Sequence, residues 1–184
     1  MRANCGPRVA GLVLVLLLGL SLVTFANGED NSTAFIYQTG SNNVVDIEQI
    51  GKGNYSYVSQ DGDKNTATVN MSGGENGTLQ TQVGDENEAL VSVIGSGNNI
   101  VQLQLGNRNY AYAEIEGHGS YIGQYQIGSR NKSKATLKGN NSVIEHFQIG
   151  NGLQLDDQMD FTMRDGYLIV MQIGPWEDRR EGWR

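Results

Sequence analysis

The chain has 184 residues, 25 of them Gly and only 2 Pro, with 38% apolar and 18% charged residues and a formal charge of −7. This composition excludes a collagen and a chain made of membrane spans, and an acidic surface repels the phosphates of nucleic acid. Gly this frequent beside Pro this rare points to a regular repeat rather than to a compact enzyme, where both residues punctuate loops.

Arg2 and Arg8 precede an apolar run from Val9 to Val23 that ends in Thr24-Phe25-Ala26. A basic start, an apolar middle and small residues at the two positions a signal peptidase reads predict a secretory signal at residues 1–26, cleaved after Ala26. An uncleaved anchoring helix is the alternative, but Glu29 and Asp30 follow where a basic stop-transfer cluster would stand. Cys5, the only cysteine, lies within this leader. The remaining chain is therefore expected to hold no disulfide, no thiolate nucleophile and no cysteine metal site.

After a short N-terminal segment, 27–32, glycine recurs at a spacing of 11: Gly40, Gly51, Gly62, Gly73, Gly84, Gly95, Gly106, Gly117, Gly128, Gly139 and Gly150. Three residues on come Asn43, Asn54, Asn65, Asn76, Asn87, Asn98, Asn109, Ser120, Asn131 and Ser142. Gly and Asn accept positive φ more readily than other residues, so each Gly-x-x-Asn is read as a tight corner. Between corners the residues alternate, with Ala67, Val69 and Met71 on one side and Thr66, Thr68 and Asn70 on the other. That is the period of a strand, here about six residues long.

Two residues before each glycine stand Gln38, Gln49, Gln60, Met71, Gln82, Val93, Gln104, Ile115, Gln126, Leu137 and Gln148. From Gln60 onward glutamine alternates with an apolar residue, so the repeating unit is 22 residues, two strands and two corners. The expected fold is an all-β, flattened two-sheet β-solenoid, amyloid-like, in which each strand stacks parallel and in register on the strand 22 positions away. One wall carries Gln38, Gln60, Gln82, Gln104, Gln126, Gln148 and Gln172, and the other is apolar. Identical buried glutamines about 4.8 Å apart can donate to the amide on one side and accept from the other. The solenoid proper is placed at 33–150 and an irregular last coil at 151–174, where the spacing to Gln172 slips to 24; an irregular corner from Asn151, a strand ending near Phe161 and a corner at Asp165-Gly166 are expected there, giving 13 strands from Thr33 to Gln172. A charged tail follows at 175–184.

Gln60-Asp-Gly62-Asp-Lys-Asn65-Thr-Ala67-Thr-Val69-Asn-Met71 and Gln82-Val-Gly84-Asp-Glu-Asn87-Glu-Ala89-Leu-Val91-Ser-Val93 resemble the curlin repeat. The resemblance implies a subunit exported through the periplasm that forms extracellular, cell-surface fibres, functional amyloids that hold cells to surfaces and to each other in biofilms. It also implies a homopolymer, a second curlin-type subunit as partner, and an outer-membrane secretion machinery. A soluble, capped β-solenoid acting as an adhesin or binding module is the competing expectation. It would need both end coils covered.

No catalytic, metal or cofactor site is expected. His118 and His146 are the only histidines, and neither has a carboxylate at a metal-ligand spacing. His146 falls in an inward slot shared with Gln80, Gln102 and Gln124, and acidic pairs such as Asp85 and Glu86 fall at corners as solvated charge. By parity, the outside of the glutamine wall collects Val83, Leu103, Leu105, Tyr125, Ile127, Phe147, Ile149 and Ile173. This is an expected lateral packing face.

Overall fold

The computed structural model describes residues 11–18, 21–27, 31–155 and 161–174. Sixteen strands form in chain order: β1 Gly11–Leu18, β2 Ser21–Asn27, β3 Ser32–Thr39, β4 Asn43–Ile50, β5 Tyr55–Asp61, β6 Thr66–Gly74, β7 Gly77–Val83, β8 Glu88–Ser96, β9 Asn99–Leu105, β10 Tyr110–His118, β11 Tyr121–Ile127, β12 Lys132–Asn140, β13 Val143–Ile149, β14 Gln154–Leu155, β15 Phe161–Arg164 and β16 Tyr167–Ile173. The odd-numbered strands up to β13, followed by β16, stack in the order β1-β3-β5-β7-β9-β11-β13-β16, the glutamine sheet. The other sheet runs β14-β12-β10-β8-β6-β4-β2, with β15 also paired to β12. All pairings are parallel, and Gln82 aligns with Gln104 as Val93 aligns with Ile115, a 22-residue register. The protein is an all-β, two-sheet solenoid with 22-residue coils.

The core is a thin slab between the sheets. Ala67, Val69, Met71, Val91, Val93, Ala113, Ile115 and Leu137 line it from one side, and Val58, Ile100, Ile122 and Ile144 from the other, all buried. Strict alternation of buried and open positions, as in β5 and β6, follows from the two-residue period of the side chains.

Three features differ from the sequence reading. The strands of the regular coils run to 7–9 residues rather than six, because coil-to-coil backbone bonds continue round the corners: Gly84 N–H donates to Asp61 O at 2.8 Å and Glu86 N–H to Asp63 O at 2.9 Å. The slip near the C-terminus is not in the corner after Gly150. Lys132 pairs with Gln154 at an offset of 22 and Leu137 with Phe161 at 24, so the two extra residues fall between Leu155 and Phe161 and split that rung into β14 and β15. Asp165 turns the chain at φ 55° into β16, which resumes the glutamine sheet with Gln148 opposite Gln172. Finally, residues that the sequence reading assigned to a leader lie as β1 and β2 against β3 and β4, with Leu17 in register with Gln38. Cleavage after Ala26 would detach this coil. The tail at 175–184 lies outside the described residues.

Candidate functional site: stacked amides and their corners

The glutamine ladder is a continuous hydrogen-bonded column. Nε2 of Gln38 donates to Oε1 of Gln60, then Gln60 to Gln82, Gln82 to Gln104, Gln104 to Gln126, Gln126 to Gln148 and Gln148 to Gln172, at 2.6–2.9 Å. Each amide has a second N–H to place. It goes across the slab to a carbonyl at the start of the facing sheet's strand: Gln82 to Thr66 O, Gln104 to Glu88 O, Gln126 to Tyr110 O, at 2.9 Å. The ladder therefore fixes register along the axis and ties the two sheets together, a cross-sheet role that the spacing alone did not indicate.

A second, shorter column was visible in the sequence only as a slot. Gln80 donates to Gln102 and Gln102 to Gln124, both at 2.8 Å, and Gln124 then turns to Ser133 Oγ at 3.0 Å. His146 takes the next place, 1% exposed, with Nδ1 at 3.1 Å from Ser133 Oγ.

Every glycine of the 11-residue series has positive φ, from 103° at Gly40 to 153° at Gly117. Conformation is only half of the requirement. At Gly84 a Cβ would overlap the carbonyl oxygen of Gly106, the equivalent corner one coil on. The corner asparagines do not supply the second left-handed residue, as their preference for positive φ suggested. That residue is the one before, such as Lys64, Glu86, Arg108 and Arg130 at 57–60°. Asn43, Asn54, Asn65, Asn76, Asn87, Asn98, Asn109 and Asn131 instead turn their side chains inward and are buried. Asn87 Nδ2 donates to Gly106 O at 2.7 Å while its Oδ1 accepts the N–H of Asn109 at 3.1 Å. Each corner is thus sewn to the next by both ends of an amide, which satisfies backbone groups that a turn would otherwise bury unpaired.

The first corner residue adds an outer stitch. Asp63 Oδ1 accepts the N–H of Ser41, Asp85 Oδ1 that of Asp63, and Asn107 Oδ1 that of Asp85, at 2.7–2.8 Å. The aspartates at corners are acceptors for the preceding coil, not merely solvated charge. Glu86 pairs with Arg108 at 2.8 Å, and that hydrogen bond holds the Glu86 carboxyl below its ordinary range and raises the guanidinium.

Outside, the sheets differ. The glutamine sheet presents Val83, Leu103, Leu105, Tyr125, Ile127, Phe147, Ile149 and Ile173, open or half-buried, and, among the described residues, only Asp61 and Glu145 as charges. Tyr125 and Phe147 stack at 4.8 Å with 9° between their planes, and Tyr121 and Tyr125 bring their hydroxyls to 3.0 Å over Gly123. Burial keeps the Tyr121 phenol well above its usual range, so it stays neutral.

The geometry defines the class: a parallel β-solenoid held by axial amide ladders, with a repeat that each coil hands to the next. The curlin associated repeat matches residues 28–62 and 41–73. Residues 28–73 are thus similar to curlin-repeat proteins, and the same 22-residue register continues beyond them. No curated protein and no solved structure matches it.

Proposed function

We propose that the protein is a secreted structural subunit that self-assembles end to end into curli-like extracellular amyloid fibres, serving surface adhesion and the biofilm matrix. One observation carries this reading: the ladder ends in complementary, unfinished amides. At the N-terminal end Gln38 Oε1 is buried and, among the described residues, meets no donor. At the C-terminal end Gln172 Nε2 donates to Gln154 O at 3.1 Å, the cross-slab bond, and its second N–H stands where the next glutamine belongs. With residues 1–26 removed, β16 of one copy and β3 of the next continue the sheet with Gln172 opposite Gln38, Val170 opposite Ile36 and Leu168 opposite Ala34. A second curlin-type subunit offering the same glutamine and corner repeat would join equally well. The leader read at residues 1–26 and the curlin-repeat match support export through the periplasm and an outer-membrane secretion machinery.

A capped solenoid adhesin is the second reading, favoured by β1 lying over β3 with Leu17, which carries no amide, in register with Gln38. Incubating the chain from Asn27 to Arg184 separates the two. Thioflavin T binding and a reflection near 4.8 Å are expected, and a protein that remains monomeric for days would favour the adhesin.

A further inference from the structure

We propose that the outer face of the glutamine sheet, centred on Leu103, Leu105, Tyr125, Ile127, Phe147 and Ile149, is a lateral interface that receives the same face of a second copy. The inference rests on the filament reading above and extends it to the contacts between filaments.

Charge selects the face. Copies approaching through the facing sheet would have to cover Asp46, Glu48, Glu88, Glu114 and Glu116 together with Lys132, Lys134 and Lys138. At the corners of Gly62 and Gly84 they would have to cover Asp63, Lys64, Asp85 and the Glu86–Arg108 pair. Only the glutamine sheet turns out four columns of side chains with two charges among them, and Glu145 already accepts the Tyr167 hydroxyl at 2.8 Å. The fewest charges therefore need be taken from water where apolar surface is greatest.

Shape supports the same choice. Rungs stacked in register put Leu105, Ile127 and Ile149 in one column and Leu103, Tyr125 and Phe147 in the next. The parallel rings of Tyr125 and Phe147 make that strip flat. The facing sheet does expose Ile50 and Ile94, 53% and 55%. Their column, however, runs Ile50, Ser72, Ile94, Glu116 and Lys138, so no stripe forms. End-to-end stacking would repeat the glutamine-sheet stripe at every subunit. A contact too weak to hold two monomers then sums along two filaments. The interface is dry, of the interdigitated kind that paired sheets adopt.

The test compares the wild-type protein with Leu105→Lys/Ile127→Lys and, as a control of equal added charge on the facing sheet, Thr68→Lys/Leu90→Lys. Electron micrographs are expected to show bundles for the wild type and the control, and single filaments of unchanged length for the face variant. Leu105→Thr/Ile127→Thr, which keeps strand-favouring residues, covers the case in which the lysines prevent folding, and should narrow the bundles. Bundles of unchanged width in both face variants overturn the inference, as does equal separation in the control. Wild-type filaments that stay single with Trp176 and Trp183 shielded from a quencher would assign the face to the tail and also overturn it. A wild-type protein that forms no filaments would overturn the filament reading itself.

Discussion

The two sheets of this solenoid both bury apolar side chains, but only the glutamine sheet adds continuous amide columns to them. The glutamine sheet buries amides and exposes apolar side chains, whereas the facing sheet buries Ala67, Val69, Met71, Val93, Ile115 and Leu137 and turns Glu and Lys outward. Both have the same backbone spacing and parity, so the difference lies wholly in what each stacked column needs. An apolar column needs only close packing and tolerates Met71, Val93, Ile115 and Leu137 in succession. An amide column needs the same residue at every rung, since each member satisfies its neighbours. The glutamine sheet is the one that specifies register, and the facing sheet supplies apolar burial.

The largest effect should come from the element both sheets share. Gly106→Val forces a branched residue to φ 121° and drives its Cβ into the carbonyl of Gly128. The conformation costs about 1–2 kcal/mol, and the displaced backbone about 1–3 kcal/mol more. Hydrogen exchange should lose protection first in β9 and β10, on either side of that corner. Loss confined to one sheet would show that the corners do not couple the two.

An exchange between the sheets probes that difference itself. Gln104→Leu removes the acceptor of Gln82, the donor to Gln126 and the bond to Glu88 O. Each buried partner left unsatisfied costs about 1–3 kcal/mol. Ile115→Gln carries an amide into a column where Val93 and Leu137 offer no partner, at about 1–3 kcal/mol. Urea midpoints should therefore fall for both, and more for Gln104→Leu because three bonds are broken. If Gln104→Leu leaves the midpoint unchanged, the ladder is packing and not hydrogen bonding.

How much of this was legible in the sequence follows from which interactions are periodic. The 11-residue glycines, the alternating glutamines and the inward sets around Ile100 and Ile122 all repeat, and they give the two-sheet solenoid and its register. What did not repeat as a residue type was hidden. The second left-handed corner position is occupied by Asn42, Lys64, Glu86, Arg108 and Arg130. No single residue marks it, and the asparagine beside it drew the attribution. The outer stitch uses Asp63, Asp85, Asn107 and Ser129 interchangeably because any short oxygen acceptor serves. The split of the last rung into β14 and β15 was misplaced by the length of a corner, because a spacing of 24 between glutamines does not say where two residues are added.

The smallest effect, and the sharpest reading of an amide column, is at the end of the shorter one, where His146 and then Val170 follow Gln124. His146 stands where a fourth glutamine would follow Gln124, and Gln124 turns instead to Ser133 Oγ at 3.0 Å. H146Q would let the amide of Gln124 reach the next rung, as Gln80 and Gln102 already do at 2.8 Å. Gln124 already donates to Tyr112 O and Ser133 Oγ, so the exchange trades one bond for another while the imidazole's contact with Ser133 is lost, and the net change is no more than about one buried hydrogen bond, roughly 1 kcal/mol. For a chain of this size that corresponds to a shift in melting temperature of at most about 2–4 °C. H146L separates the two ways of filling the slot: it supplies volume without an amide and should lower the melting temperature relative to H146Q. If H146L and H146Q melt together, side-chain volume rather than amide continuity governs this column, and the contrast between the two sheets would not extend to its edge.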